Sequence, residues 1–352
     1  MRTPINPVPG NPRQRLTSTS VSFIVDVYNA QPGSPGADGT TPVGRLTPIS
    51  GQLSDDASKP VQRTMTMELA KFPSWLAAGM WIKPTLGIQT VAPVRYALPT
   101  MVVTEVTVEP TDTSWGSLAA SDPSEVVNGR PYEVDTALSG TLRNLVASAC
   151  SLALTRATDV SGVPNLTIPA DTIAEFGSGR WDVCIRVADS LGVALMFTDA
   201  GDVIGRVRAD PYPDPVSIVE LVGSSGKLLN ARAPTQAKVF VDRGDTVGLI
   251  GVADTSTITG VFPPPWYRPY VVTDQVQGDA TTTQSAANQL ALDLLRQRLA
   301  DLDTFDSMPV LGAPWLEAGR DVVNYRSKPY GVRSMTLELP SLATTLTIRR
   351  VF

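Results

Sequence analysis

The sequence predicts a mainly β fold with an α/β insert: two β-barrel or sandwich domains around a small α/β domain. Three observations predict it. Apolar and polar residues alternate with period two in many short segments, most cleanly at Thr64–Leu69, where Met65, Met67 and Leu69 face one way and Thr64, Thr66 and Glu68 the other. Helical spacing is concentrated between about 141 and 191 and in one longer run near 283–302. Thirty prolines and 27 glycines in 352 residues break the chain often, as short strands joined by turns require.

Taken in order, residues 1–16 form a proline-rich extended arm and 17–130 a first β domain. Within that domain 21–28, 44–53, 64–69, 81–96 and 101–108 read as strands, and 31–42 as a Gly/Pro/Ser/Asp loop. Residues 111–131 read as a polar linker or long loop. An α/β domain follows over 131–215. Its first helix, 141–154, places Leu142, Leu145, Val146, Ala149 and Ala153 on one face, and 171–176 is a shorter helical or turn segment. The second main helix carries Trp181, Cys184, Ile185, Ala188 and Leu191 at helical spacing, with Gly192 where a left-handed C-terminal residue belongs. Val193, Leu195 and Phe197 then alternate as a strand, 199–202 turns, and 203–208 returns. Pro211, Pro213 and Pro215 close the insert.

A second β domain spans 216–352, with strands at 216–222, 237–241, 247–252 and 270–276. One long helix, 283–302, opens with the capping-box pattern Thr281-x-x-Gln284 and buries a stripe of Leu292, Leu295, Leu299 and Leu302 widened by Ala287, Ala291 and Leu294. Strands at 308–311, 321–325, 334–339 and 345–351 finish the chain. No exact internal repeat is visible, yet two β domains around the insert suggest a structural duplication.

Composition narrows the function. The chain is 42% hydrophobic and only 18% charged, against about 25% in ordinary soluble proteins, which suits a surface with much subunit contact. Its formal net charge is −5 and it has no Lys/Arg block, so nucleic-acid binding through counterion release is disfavoured. It has no histidine, which removes the commonest general base, the His-containing triads and the commonest metal ligand. Cys150 and Cys184 each lie on or beside an apolar helix face and read as buried small hydrophobes; a disulfide between them is possible and not needed. The N-terminal segment has no apolar core of a signal peptide, and no apolar run is long enough to span a bilayer, so stable membrane insertion is not expected.

The motifs with chemistry fail on inspection. Gly223-Ser224-Ser225-Gly226-Lys227 has Leu221 where a phosphate-binding loop needs glycine and Leu228 where it needs Ser or Thr, and reads as a hairpin turn. Asp301, Asp303 and Asp306 lack the central Gly and closing Glu of a calcium loop and read as solvated carboxylates after a helix. Asp55-Asp56 reads as a polar turn. There is no Gly-x-Ser-x-Gly elbow, and no acidic pair asks for a glycosidase reading. Pro263-Pro264-Pro265, flanked by Trp266, Tyr267 and Tyr270, is either a docking ligand for an aromatic groove or a loop against a neighbouring subunit. No catalytic, cofactor-binding or metal site and no cofactor are expected, and the chain is not expected to be an enzyme.

The order of these parts resembles the tail-hub (baseplate hub) proteins, minor tail proteins of siphovirus-type bacteriophages of high-GC hosts. Four features carry the resemblance: the helix and hairpin from Trp181 to Asp202; the β region Gly251-Val252-Ala253-Asp254 before a Pro/aromatic loop and strand; the Ala/Leu/Gln-rich helix up to Leu302; and Trp315-Leu316-Glu317-Ala318-Gly319-Arg320-Asp321-Val322-Val323 near the end. In similar proteins the last piece commonly contains Glu-Pro-Gly-Asp; here Ala318 replaces the proline and Arg320 is inserted. The resemblance covers about 135–352 well and the first domain by strand pattern only.

It implies a structural homotrimer of the virion tail tip whose two tube-like domains per subunit give six quasi-equivalent units. Such a ring adapts a hexameric tail tube to a trimeric central spike or fibre. Its implied partners are further copies of itself, the distal tail or tail tube protein, the spike or fibre protein and the tape measure protein, with DNA passing at genome ejection without specific binding. The alternative is a β-rich receptor- or carbohydrate-binding tail module, for which Trp75, Trp81 and Trp115 would be the exposed aromatics.

Overall fold

The computed structural model describes residues 20–89, 94–108, 115–207, 215–217, 225–227, 234–243, 246–258, 271–277, 283–310, 312–325 and 327–351. The fold is mainly β. It divides into two compact units, one made of Met1–Pro213, Val310–Asp321 and Arg333–Thr345, the other of Asp214–Pro309, Val322–Val332 and Leu346–Phe352.

The first unit opens with β1 (Ser20–Tyr28), the single-turn α1 (Ala37–Thr40), β2 (Gly44–Leu46), β3 (Ser50–Asp56) and β4 (Arg63–Leu69). It continues with β5 (Trp81–Gln89), β6 (Val94–Ala97), β7 (Met101–Val108), β8 (Gly116–Ser121) and α2 (Pro123–Asn128). β3, β4, β8, β7, β5, β1 and β2 lie side by side in that order, all antiparallel, with β6 also on β5. The alternation of β4 is realised: Met65, Met67 and Leu69 are buried and Thr64, Thr66 and Glu68 exposed.

The linker expected over 111–131 is, from 115 on, instead a central strand and a helix; residues 111–114 lie outside the described residues. β8 pairs with β4 on one side and β7 on the other, burying Leu118 and Ala120. Its Gly, Ser and Ala content gives a weak hydrophobic signal because small side chains suffice between two paired neighbours. Gly116 even requires it, since a Cβ there would lie 2.5 Å from the Phe72 ring and 2.7 Å from the Thr107 carbonyl. Asp122 then caps α2 by accepting from Ser124 N at 3.0 Å, with Pro123 at the first helical position.

The insert follows as β9 (Thr136–Ala137), α3 (Leu142–Ala153), β10 (Ile173–Ala174), α4 (Arg180–Ser190), β11 (Val193–Phe197) and β12 (Val203–Val207). The segment at 171–176, read as helical or turn, is a two-residue strand paired antiparallel with β9 and flanked by turn residues, and not a helix. Thr141 caps α3, accepting from Asn144 N at 3.4 Å. Helices α3 and α4 bury Leu142, Val146, Ala149, Trp181, Val183, Val187 and Ala188 in one core, while Leu145, Ala153, Ile185 and Leu191 pack at its margin. Gly192 takes φ +69° after α4 and lets the chain turn directly into β11.

The second unit contains β13 (Val216–Ser217), β14 (Ser225–Lys227), β15 (Gln236–Arg243), β16 (Thr246–Asp254), β17 (Val271–Gln277), α5 (Gln284–Asp301), β18 (Thr304–Val310) and β19 (Val322–Tyr325). β15 is the middle of a three-stranded sheet, antiparallel to β16 and parallel to β17. α5 covers one face of it: Ala287, Ala291, Leu294, Leu295 and Leu299 share a core with Ala237, Val239, Val241 and Ala253. The helix approaches so closely that a Cβ on Gly251 would lie 1.8 Å from the Ala287 carbonyl oxygen. Its N-cap is Thr283, which accepts from Ala286 N at 3.2 Å, so Gln284 is the first helical residue; Thr281 lies outside the described residues.

Two last strands, β20 (Lys328–Leu339) and β21 (Thr344–Arg350), each contribute residues to both units. Lys328–Gly331 pairs with β19, and Ser334–Leu339 pairs with β3. Phe305, Tyr325 and Tyr330 form an edge-on aromatic cluster in the second unit, with centroids 4.9–6.0 Å apart.

Candidate functional site

The densest polar chemistry among the described residues surrounds Arg63 in the first unit. The period-two pattern of β4 puts Arg63 on the same face as Met65, Met67 and Leu69, so its guanidinium is carried into the core, 1% exposed. An ionised group there is costly unless paired and hydrogen-bonded. Arg63 donates from Nη1 to Asp199 Oδ1 at 3.1 Å and from Nη2 to Glu317 Oε1 at 3.2 Å. Its Nε lies 3.4 Å from Asp55 Oδ2, and its main-chain N–H donates to Asp122 Oδ2 at 3.0 Å. The planar fork of arginine is what allows one side chain to serve three carboxylates.

Each carboxylate comes from a different element. Asp55 is the penultimate residue of β3; it also accepts from Gln62 Nε2 at 2.8 Å and from Ala318 N at 3.3 Å. Asp122 is the α2 cap. Asp199 begins the turn between β11 and β12, which Thr198 and Asp202 close by main-chain bonds with Gly201 at φ +83°. Glu317 sits in a turn in which Asp321 accepts the Glu317 amide at 2.9 Å and Gly319 takes φ +73°. Arg320, more exposed, donates to Glu317 Oε2 at 3.0 Å. The hairpin joining β3 and β4 is held from the insert as well: Trp181 Nε1 donates to Pro60 O at 3.0 Å while its ring packs on Phe197.

Burial alone would lower the Arg63 pKa, but Asp55, Asp199, Glu317 and Asp122 together hold it above the ordinary guanidinium value. Burial pushes Asp122 upward, against hydrogen bonds from Ser124 and the charge of Arg63. A guanidinium cannot act as a base, and the Ser124 hydroxyl that donates to Asp122 is itself buried. Among the described residues no group of His, Cys, Asp or Glu is arranged to hold a metal ion. What this arrangement does is fix the relative positions of a hairpin, a helix cap, the insert and the 312–321 segment.

The structure relocates several carboxylates. Asp55 is not in a polar turn but buried near the end of a strand. Asp303 is not solvated: it is 2% exposed and accepts from the Tyr330 hydroxyl at 2.9 Å, while Asp301 and Asp306 are exposed as expected, Asp301 pairing with Arg349 at 2.9 Å. Ser225–Lys227 is strand β14, paired with β18, and not a hairpin turn; Gly223 and Ser224 lie outside the described residues. So do Pro263, Pro264, Pro265, Trp266, Tyr267 and Tyr270. Cys150 and Cys184 are free and buried, their thiols pushed up by burial, Cys150 to about 12. Trp81 is buried, while Trp75 and Trp115 are partly exposed. Arg63 and Asp122 were not singled out by sequence; the signal for Arg63 was an arginine in phase with a buried stripe.

No family model and no curated protein sequence matches the chain. Solved structures do share its fold. The 43 kDa tail protein of prophage MuSo2 from Shewanella oneidensis superposes with a TM-score of 0.59 at 14% identity, covering 94% of this chain and 98% of that one. A tail protein from Neisseria meningitidis MC58 gives 0.59 at 12% identity over 94% and 97%. Prophage tail protein gp18 from Listeria monocytogenes EGD-e gives 0.55 at 10% over 93% and 94%. The chain therefore has the fold seen in prophage tail proteins.

Proposed function

We propose that this chain is a structural, non-enzymatic component of a bacteriophage tail, acting at the tail tip as a trimeric hub. The ring adapts the hexameric tail tube to a trimeric spike or fibre and encloses the channel for tape measure and DNA. The observation that carries the reading is the end-to-end correspondence of fold, 94% of this chain against 98% of the MuSo2 tail protein. Two further features support it. The Arg63 cluster ties four distant segments together, which suits a passive structural ring. A net charge of −5 gives no overall attraction for passing phosphates, which suits a channel through which DNA slides.

The test is negative-stain electron microscopy of the purified chain, combined with light-scattering mass. Threefold rings with a central hole are the expected result. Particles without symmetry that also fail to bind the cognate tail tube, and that instead bind glycans in a screen, would move the assignment to a carbohydrate-binding tail module.

A further inference from the structure

The edge of β16 carries a second device. The segment Val247–Ala253 reads Val-Gly-Leu-Ile-Gly-Val-Ala, with no charge and no proline. Such a strand at a sheet edge is a template for pairing with another chain, because its outer main-chain groups are unpaired and nothing in its own sequence repels a partner. The adjoining sheet face is also apolar: Phe240, Ile250 and Val252, side by side across β15 and β16, are 41%, 57% and 42% exposed.

That edge is nevertheless occupied, and by side chains of α5. Gln284 Nε2 donates to the Ile250 carbonyl at 2.8 Å. Asn288 Oδ1 accepts from the Val252 N–H at 3.1 Å and from Gln284 Nε2 at 3.0 Å. The two amides, one helical turn apart, thus satisfy two β16 main-chain groups much as a neighbouring strand would. Gly251 makes this reach possible. It lies between Ile250 and Val252, directly beneath the Ala287–Asn288 peptide, and any side chain there would lift the helix away from the strand.

We propose that Gln284 and Asn288 form a main-chain cap on β16 that stops this strand from pairing, edge to edge, with β16 of a second copy of the chain. A second copy is the relevant partner because an uncharged apolar edge strand is a template for an identical segment of another chain. The cap confines self-association to other surfaces.

The test compares the wild-type chain with Gln284→Leu/Asn288→Leu by sedimentation velocity over a range of concentrations, with far-UV circular dichroism to establish folding. The expected result is species larger than the wild-type species at equal concentration for the double variant. Asn288→Asp, which keeps the acceptor for Val252 N–H, should match wild type. A folded double variant with the wild-type size distribution throughout overturns the proposal. Hydrogen exchange on the wild-type chain tests it independently of variant folding: Val252 N–H is expected to be protected although it lies at an edge, and free exchange there overturns the cap. Because the comparison is always with wild type, whatever its oligomeric state, failure of the cap is distinct from failure of the trimeric-hub reading.

Discussion

Replacing Arg63 with methionine removes the one cation shared by three carboxylates and leaves a side chain of similar length. Asp55 and Glu317 are 0% and 2% exposed, so water cannot take over; Asp199, at 18%, is partly solvated, and Glu317 keeps Arg320. Removing one partner of a buried pair costs about 3–5 kcal/mol. The three pairs share one guanidinium, so their losses do not add, and roughly 4 kcal/mol is expected for the whole. At about 2–4 °C per kcal/mol for a unit of this size, the corresponding transition should fall by roughly 8–16 °C in differential scanning calorimetry at neutral pH. Arg63→Met/Asp55→Asn should recover part of the loss, because it removes the most deeply buried of the carboxylates that lose the guanidinium, with a coupling of about 1 kcal/mol or more. A loss below about 1 kcal/mol, or a double variant that loses the sum of its parts, would refute the claim that the cluster ties these segments together.

Gly192→Ala should cost about 1–2 kcal/mol, since no atom lies within 4 Å of the new Cβ and only the φ of +69° is unfavourable; urea denaturation measures it. Cys150 and Cys184 should both resist a thiol reagent at pH 8 in the folded chain and react fully in denaturant, because burial raises both thiols. Asp122 is raised above its ordinary 3.8 by burial, so the folded state holds its proton more tightly than the unfolded state. Its contribution to stability is full below that ordinary value and declines as pH rises through the folded one. The stability difference between wild type and Asp122→Asn, followed by denaturation across pH, should therefore be largest in acid and shrink toward neutrality; a difference that grows with pH contradicts it.

Local pattern was legible wherever one residue's environment repeats along the chain. The β4 alternation, the α3 and α4 faces, Gly192 after α4 and the apolar stripe of α5 all follow from spacing alone. β8 was not legible, because a strand flanked on both sides can bury glycine, serine and alanine that carry little hydrophobic signal. The Arg63 cluster was not legible either. Its partners Asp199 and Glu317 are 136 and 254 residues away, and no local rule brings them together. The same holds for Asp303, whose burial depends on Tyr330, 27 residues further along.

The return of the chain to its first unit has a consequence for how the protein is made. β3 obtains its outer neighbour only from Ser334–Leu339, and Arg63 obtains Glu317 only when residue 317 has been added. While a ribosome synthesises everything between Pro213 and Val310, the early strands wait with an open edge and an incompletely neutralised arginine beside the core. Closure of that unit is thus a long-range event that joins residues about 280 positions apart, and such events are slow. The interval in which β3 is available to the wrong partner is set by translation speed.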